Sequence, residues 1–99
     1  MTPTLKNFRQ AKKRYSDMLV LMLVDDFCET FDEDARTVSR ELGLSVIARD
    51  GVDATVGFPQ RNLETYLGKL LKAGHRVAVC EPVTKTKIPK NKITRQVIE

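Results

Sequence analysis

The run MLVLMLV at positions 18–24 constrains this chain more than any other feature of its sequence. Seven apolar residues between charged segments are too few for a typical helix and far below the ~20 that a membrane-spanning helix needs. An unbroken apolar run of this length reads as a β-strand buried on both faces. Such a strand must be covered on each side, and helices are the common cover. An α/β arrangement is therefore the first requirement.

Helical segments are present in the right places. Thr2-Pro3 is a helix-start signal, because the threonine hydroxyl can cap a free amide and proline suits the first turn. Leu5, Phe8, Ala11 and Tyr15 then recur at helical spacing. Thr30 with Glu33 three residues on forms a capping-box pattern and predicts a second helix. Its apolar face would carry Phe31, Ala35, Val38 and Leu42, and Gly43 suits a left-handed stop. Asp32, Glu33 and Asp34 would favour the dipole of its first turn. Leu63, Tyr66, Leu67, Leu70 and Leu71 mark a third helix, closed by Gly74. Further strands are predicted over 44–48, over 54–58 after the Asp50-Gly51 turn, over 75–80, and at a sheet edge over 93–98. The expected fold is α/β, a mixed sheet flanked by about three helices, in a single domain over 1–99.

Composition narrows the chemistry. Hydrophobic residues at 41% and charged residues at 30% fit neither a disordered chain nor a membrane protein. Two cysteines and one histidine cannot build a four-ligand zinc site or a disulfide framework. Six acids near Cys28 should raise its thiol pKa, while Cys80 and Tyr66 read as core and His75 as a surface residue. No secretory signal pattern opens the sequence, which predicts an intracellular, cytoplasmic protein. No G-x-x-x-x-G-K-[ST] phosphate loop occurs, so this stretch is not itself such an ATPase.

Charge is segregated. The net charge is only +4, but Lys6, Arg9, Lys12, Lys13 and Arg14 crowd the first segment. Asp25, Asp26, Glu29, Asp32, Glu33 and Asp34 crowd the next, and Lys85, Lys87, Lys90, Lys92 and Arg95 dominate the last. Two basic flanks around an acidic centre suit a polyanion gripped at its edges, or else a plain solvated face.

The segment VDDFCETF at 24–31 leaves a buried strand and enters a helix, which is where α/β folds place functional groups. Here DDFCETFDEDA resembles the G-D-F-Y-E-x-F-x-x-D-A signature of the MutS mismatch-recognition domain, domain I. The likeness continues in order along the chain. Thr2-Pro3 matches that family's opening helix, and VGFPQRNLETYLGKLLKAG is similar to its A-G-[IF]-P-x-H-x-x-x-x-Y-x-x-x-L-x-x-x-G segment. HRVAVCEPV resembles its V-A-[IV]-C-E-Q strand, and KITRQVIE its closing strand.

The resemblance implies a DNA-binding domain that recognises mispaired or unpaired bases in duplex DNA from the minor groove. Phe27 would be the wedge that stacks on the faulty base, and Glu29 the acid that hydrogen-bonds it. A flat apolar ring suits this task, since base–aromatic stacking is worth ~1–3 kcal/mol and a mismatch is cheaper to unstack than a normal step. In an extended segment the i, i+2 spacing places both residues on one side. Outside this motif, Phe27 would read as core. Lys6, Arg9, Arg61, Lys87 and Lys90 are candidate contacts to the DNA backbone. The family's ATPase, clamp and connector domains would lie outside this stretch, with ATP and magnesium belonging to the ATPase alone. Partners would be duplex DNA with mismatches or small loops, and the remaining MutS domains, near the nucleoid. The sequence departs from the pattern at Asp25 for glycine, Cys28 for tyrosine, Arg61 for histidine and Pro82 for glutamine. The Cys28 change predicts thinner packing behind the wedge.

Three other readings compete. LVLMLVDD is similar to the acidic strand end of phosphoacceptor receiver domains, where carboxylates hold magnesium. Asp25, Asp26, Glu29 and Glu81 could form a metal-dependent nuclease centre. The departures at Asp25 and Cys28 would also suit a MutS-like interaction domain without DNA recognition.

Overall fold

The computed structural model of this chain describes residues 3–49 and 51–81, together with the backbone of 94–97. In chain order the elements are α1 (Pro3–Arg14), β1 (Leu19–Val24), β2 (Phe27–Phe31), α2 (Asp32–Leu42), β3 (Ile47–Arg49), β4 (Val52–Pro59), a 3-10 turn (Gln60–Asn62), α3 (Leu63–Lys72), β5 (Val77–Cys80) and β6 (Thr94–Val97). The strands form one sheet in the order β3-β4-β2-β1-β5-β6. Only β1 and β5 run parallel, and every other neighbouring pair is antiparallel. The mixed sheet with three α-helices is the fold class that the sequence predicts.

The apolar run at 18–24 became the inner strand it had to be. All of β1 except Val24 is buried, and its side chains alternate between two cores. Leu19, Leu21 and Leu23 pack with Ala35, Val38 and Leu70 beneath α2 and α3. Val20 and Met22 face the other way, toward Leu5 and Phe8 of α1.

The largest correction concerns 25–31. This segment does not pass from the buried strand directly into a helix. It turns at Asp25-Asp26 and returns as β2, with Met22 opposite Glu29 and Val24 opposite Phe27. No glycine or asparagine marks that turn, so the usual hairpin signal is missing. Thr30 consequently lies inside β2 and does not cap α2; the residue preceding α2 is Phe31, and no side chain caps it. Phe31 also leaves the expected helical face and meets Phe8 edge-on beneath α1, with ring centroids 5.3 Å apart. Gly43 ends α2 in the left-handed conformation (φ 71°), as expected.

Asp34 ties three elements together. One carboxylate oxygen accepts the Val20 amide at 3.0 Å, and the other accepts Lys12 Nζ at 3.0 Å. β2 pairs only with residues 22–24 of β1, so the Val20 N–H has no strand partner on that side. A buried amide needs an acceptor, and Asp34 supplies it. Strand β3 is shorter than the expected 44–48, because Leu44 and Val46 pack partly against the α2–α3 core before pairing begins. The lysines of the last basic segment, Lys85 to Lys92, and the Asp50 side of the turn fall outside the described residues.

Candidate nucleic-acid interface

The turn between β1 and β2 is pinned from beyond β4. The Gln60 backbone N–H donates to the Asp26 carbonyl at 2.7 Å, and Gln60 Nε2 donates to the Asp25 carbonyl at 3.3 Å. Asp25 takes a left-handed backbone (φ 52°), the conformation that best suits glycine. The position where the resemblance has glycine is therefore one where glycine has a physical reason to be.

Side chains alternate along β2. Phe27 is 52% exposed, and among the described residues only it and Ile47 are large hydrophobics left open to solvent. Glu29 and Phe31 share its face, while Cys28 points through the sheet into the α2–α3 core. Phe27 thus stands at the open end of a strand whose other end is held by α1. Its cross-strand neighbours are Val24 and Pro59. The predicted juxtaposition of Phe27 and Glu29 on one side matches this arrangement. The expected thinning behind the ring does not, because Cys28 occupies the opposite face. Burial, followed by the charge of Glu29, pushes the Cys28 thiol up to about 12. The many acids expected to act on it are secondary to desolvation.

Glu29 is engaged. Its Oε2 accepts Arg49 Nη2 at 2.9 Å, a contact that reaches from β3 across β4 to β2. Gly57 lies directly opposite Glu29 on β4. Sequence reading did not single out Arg49. The available signal was its place beside the Asp50-Gly51 turn, closing an apolar strand.

The candidate backbone contacts divide by location. Arg61 is exposed in the 3-10 turn, two residues past Pro59 and so at the Phe27 end of the sheet. Arg9 grips Asp32 in a fork, with Nε and Nη2 each 3.1 Å from a carboxylate oxygen. Hydrogen bonding and then charge from Asp32 raise the Arg9 pKa still further. Asp32 follows Phe31, which places this pair at the opposite end of β2. Lys6 is exposed on α1. Lys87 and Lys90 lie outside the described residues. The structure therefore groups Phe27, Glu29, Arg49 and Arg61, and separates Arg9 from them.

The metal readings find no support in this arrangement. Among the described residues, no group of three or more His, Cys, Asp or Glu side chains is placed to hold a cation. A receiver domain needs successive parallel strands, whereas β1 has an antiparallel partner on one side. No helix among the described residues is long and apolar enough to cross a membrane. His75 sits near the surface with Nε2 2.9 Å from Glu41 Oε2, and Tyr66 packs edge-on against Phe58.

The sequence over residues 2–99 matches the family model described as MutS domain I. The chain is 41% identical over 102 residues to the DNA mismatch repair protein MutS of Flavobacterium johnsoniae, covering 99% of this chain and 12% of that protein. It is 38% identical to the protein of that name from Salinibacter ruber, covering 99% of this chain and 11% of the relative. For the one from Methanosarcina acetivorans the identity is 36%, again over 99% and 11%. The chain thus spans roughly a ninth of the length of the curated relatives it matches.

Proposed function

Since the chain belongs to the MutS domain I family, we propose that it is the lesion-sensing, DNA-binding domain of a mismatch repair protein. Phe27 enters the duplex from the minor groove and stacks on a mispaired or unpaired base, and Glu29 hydrogen-bonds that base. Arg61, Lys6, Lys87 and Lys90 contact phosphates, and Arg9 does so by exchanging Asp32 for a phosphate oxygen. In this reading the domain performs no reaction. ATP and magnesium belong to the family's ATPase domain, and the other MutS domains are its partners beside DNA in the cell.

One observation carries the reading: a half-exposed phenylalanine stands at the end of a pinned hairpin, on the same face as a carboxylate. Exposing a ring there has no packing benefit, but it suits insertion between bases that are already poorly stacked. Recognition then works through deformability, because a faulty pair costs less to open than a sound one.

Binding of this chain and of Phe27→Ala to a G·T or one-base-insert duplex and to a matched duplex tests the proposal. At low salt, Phe27→Ala is expected to lose ~1–3 kcal/mol of preference for the faulty duplex while keeping its affinity for the matched one. Equal loss on both duplexes contradicts the wedge role. The exposed carboxylates of Asp25 and Asp26 beside Phe27 favour a second reading, an interaction domain that repels DNA. Weak, salt-insensitive binding to both duplexes would support that one.

A further inference from the structure

We propose that Arg49 is a positioning residue for Glu29, and that this pair sets the contrast between faulty and sound duplexes. The inference rests on the wedge reading of Phe27 and Glu29. Its own basis is the contact across the sheet. β2 and β3 are not neighbours, so about 10 Å of sheet separates them. Two long side chains meet across β4.

The contact fixes the carboxylate in a particular way. Arg49 Nη2 occupies Oε2, while Oε1 has no hydrogen-bond partner among the described residues. The Glu29 side chain is 16% exposed and that of Arg49 is 46% exposed. An unpaired glutamate samples many rotamers, and a charge-assisted hydrogen bond selects one. The free oxygen is thereby held on the Phe27 face, ready for a base displaced by the ring. The guanidinium also offsets one negative charge in a region that carries Asp25 and Asp26 as well. Without it, Glu29 meets any duplex as an unscreened, mobile acid, whether or not the pairing is faulty. A partly exposed pair contributes little to fold stability, so Arg49 can be removed without unfolding the domain.

The test is a double-mutant cycle on this chain. Wild type, Arg49→Ala, Arg49→Lys, Glu29→Gln and the Arg49→Ala/Glu29→Gln double variant are titrated with one-base-insert and matched duplexes at low salt. Arg49→Ala is expected to lower the ratio of the two affinities by roughly threefold to tenfold. Arg49→Lys should recover part of that ratio. In the Glu29→Gln background, Arg49→Ala should leave the ratio unchanged, because its partner is already altered. Equal weakening on both duplexes in both backgrounds would make Arg49 a plain phosphate contact and overturn the proposal. So would an unchanged ratio in Arg49→Ala. Phe27→Ala in the same series separates the two claims. If it abolishes the preference while Arg49→Ala does not, only the role of Arg49 fails. If wild type and Phe27→Ala discriminate equally, the wedge reading fails and this inference falls with it.

Discussion

Asp25 shows how one backbone angle connects sequence pattern and stability. A non-glycine residue in the left-handed region costs about 1–2 kcal/mol, less for aspartate than for most. Glycine removes that strain but adds about 0.5–1 kcal/mol of unfolded-state entropy. Asp25→Gly is therefore expected to stabilise the chain by about 0.5–1 kcal/mol, read as a higher urea midpoint. A lower midpoint would mean that the aspartate makes a compensating contact. At this scale much of the site was legible. The spacing of Phe27 and Glu29 is enough to place them together once the segment is extended. Arg49 was not legible, because its contact depends on strand order, which no local pattern encodes.

Elements were legible where burial is strong and punctuation is clear. The β1 run, the leucine face of α3 and the Gly43 stop all follow from local chemistry. β2 did not, because a cap signature overlapped it. Thr30 and Glu33 have capping-box spacing, yet Thr30 is fully buried in a strand and its Oγ1 has no partner among the described residues. Tertiary pairing with β4 outweighed the local signal. The two readings predict opposite signs for Thr30→Val. Loss of a cap would cost about 1 kcal/mol. Removal of an unsatisfied buried hydroxyl is expected to gain about 1 kcal/mol, measurable by urea unfolding. Asp34 carries the reverse expectation. Asp34→Ala strands the Val20 amide and leaves Lys12 without its carboxylate, so a loss of about 2–3 kcal/mol is expected. Asp34→Asn should lose less, since it keeps an acceptor for the amide. An Asp34→Ala midpoint near wild type would contradict this bracing role.

Across the whole molecule, the segregated charges of the sequence partly answer one another. Arg9 pairs with Asp32 and Lys12 with Asp34, so the basic first segment is anchored on the acids of α2. The net charge of +4 follows from composition alone, while these contacts decide which of the charges face one another. The sheet end that carries Phe27 is turned away from this anchoring, with Arg61 beside it. Fold and family were readable because ordered motifs run along nearly the whole sequence. The division of basic residues between internal pairing and the open end required three dimensions.

The central claim is that the Phe27 ring inserts among bases. Intermolecular nuclear Overhauser effects in a complex of this chain with a one-base-insert duplex test it most directly. The ring protons of Phe27 are expected to show cross-peaks to base protons at the lesion, with ring resonances displaced by stacking. A saturated complex in which those resonances stay at their free positions, with no cross-peak to any base, would contradict it.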